Sequence, residues 1–242
     1  MKNENPVTKT DPTKALLDIV FFFALAAGIY FLEKWSRSVG FNPLPEGMDG
    51  AVTLLVSLAF VLKLNQIRGF TLRDLGLFAL KKWWMIPAFG LLVLVVQIIA
   101  RLFITPALAK ALGGQALDLS IYDYLYQNLG MTVLTMVGAM FTGGFIEEVL
   151  YRGFMIHRLT AVFGGGRLAL YAAAMLNALP FGLIHYEWGF GGIILTTVMG
   201  AVMGLMYLVT KRNLWPLIMA HAILDAILIS TLYFNKGSEV PF

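Results

Sequence analysis

Six ionisable side chains sit where the chain otherwise reads as hydrocarbon. The stretch GGFIEEVLYRGFM, residues 143–155, places Glu147, Glu148 and Arg152 inside an apolar run. PFGLIHYEW, residues 180–188, adds His185, with Phe181 one helical turn before it on the same face. LIMAHAILDAI, residues 217–227, adds His221 and Asp225, four positions apart. Within a membrane span such groups cost about 2.5–3.5 kcal/mol each, and they mark functional sites by default.

Each set has a structural and a chemical reading. Glu148 and Arg152 share a helix face and can form an ion pair that ties the helix to itself or its neighbours. Glu147 lies about 100° around the helix from Glu148. It has no charged partner three or four positions away, and His157 is too far along the chain. A carboxylate without a partner is a candidate general base. His185, near a helix end, reads alone as a satisfied residue; its companions give it a chemical role. His221 and Asp225 point the same way from one helix, and the plain reading is a pair that satisfies itself.

Two histidines and a carboxylate are also zinc ligands of metalloprotease type. No H-E-x-x-H is present, however, and His185 and His221 are 36 residues apart. No cofactor is expected, and zinc is the less favoured alternative.

The elements that must position these groups follow from composition. Of 242 residues, 59% are hydrophobic and 13% charged, with a mean hydropathy of +0.77. A soluble domain carries about a quarter charged residues, so this is an integral membrane protein. The net charge of +4 is explained by basic residues in loops, without nucleic acid. Cysteine is absent, which excludes disulfides and thiolate metal sites.

A span needs about 20 mainly apolar residues. Seven segments qualify or nearly do: 15–33, 49–64, 83–104, 129–150, 167–186, 190–209 and 214–234. Residues 115–130 read as an interfacial helix or half of an eighth span. The predicted fold is all-α, a polytopic transmembrane bundle of seven spans, with eight as the alternative. Residues 1–14 read as a disordered tail and 15–235 as one transmembrane domain with its core at about 129–232; the terminal NKGSEVPF also reads as disordered. With seven spans, 13 Lys and Arg fall on one side and 5 on the other. That places the N-terminus in the cytoplasm and the C-terminus outside.

Weaker signals complete the layout. Asp18 could cap the first helix. Gln97 and Arg101 share a face of the third, with Arg101 near its end, where it can snorkel. Asn177 could hydrogen-bond between helices. Gly200 and Gly204 form a small-xxx-small pair, and Gly138, Gly143 and Gly144 could act likewise. Glycines 164–166 reverse the chain, which predicts a long hairpin of spans four and five that brings Glu147 and His185 to within ~7 Å of one level.

The three stretches in this order, E-E-x-x-x-R, F-x-x-x-H and H-x-x-x-D, resemble the CPBP family (CAAX protease and bacteriocin-processing, also called Abi). That family includes the type II CAAX prenyl endopeptidases. RDLGL at 73–77 resembles its upstream segment, and the likeness covers roughly residues 70–232. The resemblance implies a metal-independent intramembrane peptidase acting on peptides or proteins at the lipid bilayer. Glu147 and His185 would activate water, His221 and Asp225 would serve the oxyanion, and Glu148, Arg152 and Phe181 would support them. One departure is chemical: the prenyl proteases commonly carry Asn where this chain has Asp225. An ionised carboxylate repels an oxyanion, so Asp225 either holds a proton there or orients His221. The expected location is the plasma membrane of a prokaryote, with the site opening toward the cytoplasm. A non-catalytic scaffold or regulator, as in bacteriocin self-immunity, is the second reading. A proton-coupled transporter is the third, and it lacks internal symmetry between halves.

Overall fold

The structure is a computed structural model that describes residues 10–41, 48–80, 82–114 and 117–237. Residues 1–9 of the predicted tail, Lys81, and the last five residues of NKGSEVPF lie outside the described residues. Eight helices account for most of the described chain: α1 Pro12–Ser38, α2 Ala51–Ile67, α3 Met85–Leu112, α4 Leu129–Val162, α5 Gly166–Leu176, α6 Ala178–Leu183, α7 Gly189–Val209 and α8 Trp215–Phe234. No strand occurs among the described residues. The chain is a polytopic all-helical membrane bundle, as its hydropathy requires.

Five segments are long and apolar enough to cross a bilayer: α1, α3, α4, the run Tyr186–Val209 that holds α7, and α8. The shorter α2 is apolar over 17 residues. Together α5 and α6 make up the remaining pass. They are two helices because Pro180 has no N–H for the carbonyl of Leu176, so the chain kinks at Asn177. The seven passes alternate in direction, and contacts between their ends show it. At one end Tyr30 meets Tyr186, and Gln127 N–H bonds the carbonyl of Tyr233. At the other, Arg68 meets Asp18, and Leu214 N–H bonds the carbonyl of Gly76. Between α3 and α4, residues 120–125 form one short 3₁₀ turn, so the described part of 115–130 is not half a span.

The predicted long hairpin is present. α4 runs for 34 residues, well beyond the roughly 20 that a span needs. Gly164, Gly165 and Gly166 all take positive φ, between 76° and 83°, and turn the chain into α5. Gly200 and Gly204 let α7 approach closely: a Cβ at Gly200 would stand 3.0 Å from the ring of Phe181, and one at Gly204 would meet the backbone of Ala174. Gly138, by contrast, has no neighbour there and faces a cavity.

Asp18 does not cap α1. Asp11 does, accepting from the N–H of Lys14 at 2.9 Å, with Pro12 in the first turn. Asp18 is buried and joins two arginines, with Arg68 Nη2 at 2.6 Å and Arg158 Nε at 2.9 Å. Arg158 also donates to Asn65 Oδ1 at 2.7 Å and lies over the rings of Phe70 and Phe154. This cluster locks α1, α2 and the end of α4 together. Losing one member of such a pair strands the other charge in low dielectric, at a cost of about 3–5 kcal/mol.

Candidate active site

From Thr142 to Met155 the helix α4 is wound as a π-helix, with N–H groups bonding five residues back. Such turns are rare and recur at functional sites. This segment carries Glu147, Glu148 and Arg152, all buried. The wider turn does not break the predicted pair: Arg152 Nη1 donates to Glu148 Oε1 at 3.0 Å. The same oxygen accepts from His221 Nδ1 at 2.7 Å. Glu148 therefore bridges its own helix to α8, a link the i,i+4 spacing does not reveal. Arg152 and Glu148 are both fully buried.

With Nδ1 committed to Glu148, the other face of His221 is fixed. Its Nε2 lies 4.0 Å from Glu147 Oε2 and 3.7 Å from Asp225 Oδ1. His221 and Asp225 thus face each other as predicted, but the hydrogen bond of His221 goes to Glu148 and not to Asp225. Asp225 Oδ2 has no hydrogen-bond partner among the described residues. It fits because position 143 is glycine: a Cβ there would stand 2.6 Å from it.

His185 caps the end of α6. Its Nδ1 donates to the carbonyl of Phe181 at 2.8 Å, which leaves the lone pair on Nε2. No ion pair within 4.0 Å joins Glu147 to His185, and the imidazole at that distance is His221. Glu147 and His185 nonetheless line one cavity. Phe181 is the hub between the sets. Its ring carries the Arg152 guanidinium 4.2 Å from its centroid, with the rings of His185 at 5.1 Å and His221 at 6.3 Å. An arginine over an aromatic face and against a carboxylate is held on both sides.

The cavity has a volume of about 540 Å³, within the range of ligand pockets. Glu147, His185, His221 and Asp225 line it beside apolar side chains such as Phe22, Phe23, Leu224 and Leu228. Two aromatics complete the wall near His185: Trp188, whose ring lies 4.8 Å from the imidazole, and Tyr122, 6.2 Å from Trp188. Neither was singled out from the sequence, although Trp188 belongs to the PFGLIHYEW stretch. Tyr122 lies in the segment read as interfacial.

The side of opening needs correction. The wall includes Tyr30 late in α1, Gly50 before α2, Glu187 before α7 and Leu232 late in α8. All lie at the end of the bundle opposite Pro12. A cavity facing the N-terminal side, as expected, is not what the walls describe. α5 and α6 carry His185 across to that far end of the bundle. At the mouth Lys34 pairs with Glu187 at 2.5 Å and with Asp49 at 3.0 Å, and Tyr30 donates to Glu187 at 2.9 Å. Among the described residues no group of three or more His, Asp or Glu is arranged to hold a metal ion.

Buried carboxylates and imidazoles around an internal cavity of a multipass helical bundle mark a functional site within the membrane. Residues 129–227 match the family described as type II CAAX prenyl endopeptidase Rce1-like. This region, less than half the chain, spans all three motifs, and the match supports a CPBP/CAAX protease assignment. Comparison with curated proteins and with solved structures gives no match.

The hydrogen bonds assign the ring protons of all three histidines. His185 and His221 carry a proton on Nδ1. His157, whose Nδ1 faces a donor, Arg158 Nη1, at 2.7 Å, carries its own on Nε2. Nitrogen NMR of histidine-labelled protein is expected to show a protonated Nδ1 on two rings and a proton on Nε2 alone on the third. Glu148→Ala is expected to perturb one of the first two and leave His185 unchanged. Three rings with the same tautomer would contradict the geometry.

Proposed function

We propose that this chain is an intramembrane endopeptidase that cleaves membrane-associated peptides or proteins with an activated water. The observation that carries the reading is the Glu148 bridge. It pins His221 while leaving Glu147 facing the cavity as the one carboxylate of its pair free to take a proton. In this scheme Glu147 accepts the proton of a water that His185 Nε2 also orients, and hydroxide attacks the peptide carbonyl; when the tetrahedral intermediate collapses, the C–N bond breaks and Glu147 returns that proton to the leaving amine. The 4.0 Å gap between Glu147 and His221 leaves a reacting atom room to approach.

The developing oxyanion falls to His221 and Asp225. Because Nδ1 of His221 is bonded to Glu148, Nε2 donates only from the imidazolium form, and Glu148 is the counterion for that charge. Asp225 donates only when protonated; otherwise it holds the imidazolium in place. Arg152 keeps Glu148 aimed, and Phe181 holds both imidazoles. The proposed mechanism uses no metal.

The test is cleavage of a membrane-peptide library by purified protein. Glu147→Ala is expected to lower turnover by about 10²–10⁴-fold, the usual contribution of a general base, while the protein still folds. Chelator is expected to leave turnover unchanged. Cleavage that survives Glu147→Ala, or that stops only with chelator, contradicts the reading. A wild-type protein that cuts nothing supports the scaffold alternative.

Orientation follows from the basic side chains, most of which gather at the Pro12 end of the bundle. We place that end in the cytoplasm of a prokaryotic cell, so that the cavity mouth faces the opposite side. Because the chain has no cysteine, single cysteines report this directly. Ser38→Cys is expected to react with a membrane-impermeant maleimide on intact cells, and Lys14→Cys only after permeabilisation. The reverse pattern would invert the assignment.

A further inference from the structure

Arg101 is the sole charged residue between Met85 and Ala109. The expectation that it snorkels from a helix end fails, because α3 continues to Leu112. At 1.5 Å per residue, α3 is about 42 Å long and Arg101 lies ~16 Å from its end. If the helix is centred on a hydrocarbon layer of about 30 Å, the guanidinium starts roughly 10 Å inside it. Its neighbours Leu102, Phe103 and Ile104 are exposed on the lipid side. Arg101 is turned inward with Gln97 and Thr105, and all three line the cavity that holds Glu147 and His185.

The backbone there is shaped to present it. Ala100–Ile104 is a second π turn, just ahead of Pro106, which has no N–H to offer. The other polar groups on this wall are occupied. Gln97 donates to the carbonyl of Met199 at 3.0 Å, and Thr105 to that of Ala100. Arg101 itself has no hydrogen bond, ion pair or aromatic contact among the described residues. None of the acids of the cavity pairs with it: Asp49 meets Lys34 and Arg37, Glu187 meets Lys34 and Tyr30, and Glu147 and Asp225 face His221 across 4.0 and 3.7 Å.

A cation deep in an apolar wall, paired with none of the cavity's acids, is built for an anion from outside the chain. We propose that Arg101 binds the oxyanion, a carboxylate or a phosphate, of the molecule that occupies the cavity. The assignment deepens the peptidase reading and rests on it for the word substrate. An apolar chain anchored by one charge at α3 would lie across the cavity toward α4 and α8, where Glu147, His221 and Asp225 stand. Arg101 is thus a specificity-determining residue that sets register, and it takes no part in proton transfer.

Binding without turnover tests this in full-length protein in nanodiscs, both wild type and Glu147→Gln. The probes are a fluorescent apolar peptide carrying a single carboxylate and its matched amide, read by anisotropy. A charge-assisted hydrogen bond predicts that the carboxylate binds about 10-fold or more tightly than the amide. Arg101→Gln is expected to erase that preference and leave amide binding unchanged, while Arg101→Lys keeps part of it. Phosphatidic acid that displaces the peptide from wild type, and not from Arg101→Gln, assigns the site to a lipid phosphate. Equal or absent binding of both peptides, with no Arg101-dependent effect of phosphatidic acid, overturns the proposal. A preserved carboxylate preference in protein that cuts no peptide overturns the peptidase reading and not this one.

Discussion

One carboxylate oxygen, Glu148 Oε1, receives both Arg152 Nη1 and His221 Nδ1 in a place without solvent. The rest of the site depends on that shared atom. A charge buried in low dielectric must be paired, or the fold bears the desolvation of an isolated ion. Glu148 meets this demand from two helices at once, so α4 and α8 cannot slide or rotate independently. The arginine is held in turn by the face of Phe181, which also contacts both imidazoles. A network of this kind stores its order in geometry, and removal of any member leaves the others unsatisfied.

The bilayer explains the remaining architecture. Backbone groups in hydrocarbon must be bonded within the protein, so irregular turns survive there only when covered by protein or facing a cavity. Both π segments obey this rule, one around Glu147 and one around Arg101, and both border the same cavity. The kink at Asn177 places His185 at the far end of its pass, and Gly143 makes room for Asp225 beside α4. Pairing at the mouth, between α1 and the turn before α7, closes the same space from its open end.

How much of this the sequence carries differs from residue to residue. Glu147, Glu148, Arg152, His185, His221 and Asp225 announce themselves because charge in an apolar run is costly, and only a site repays it. The glycine run at 164–166 announces the hairpin. The partner of His221 does not, since Glu148 lies 73 residues away and no helical spacing connects them. Asp18 hides for the same reason: its arginines come from 50 and 140 residues downstream. The depth of Arg101 was misjudged because α3 passes through Pro106, where a helix is expected to stop, by winding a π turn first. The side of the opening follows only from where His185 lands, and a broken helix decides that.

The shared oxygen makes Glu148 and His221 a single unit, and a double-mutant cycle on peptide turnover measures that directly. If the bridge positions the imidazole, Glu148→Gln and His221→Phe each lower kcat, and the double variant is no slower than the worse single, as for residues that act together. Losses that multiply, within about twofold, would show that the two side chains act independently and would contradict the account.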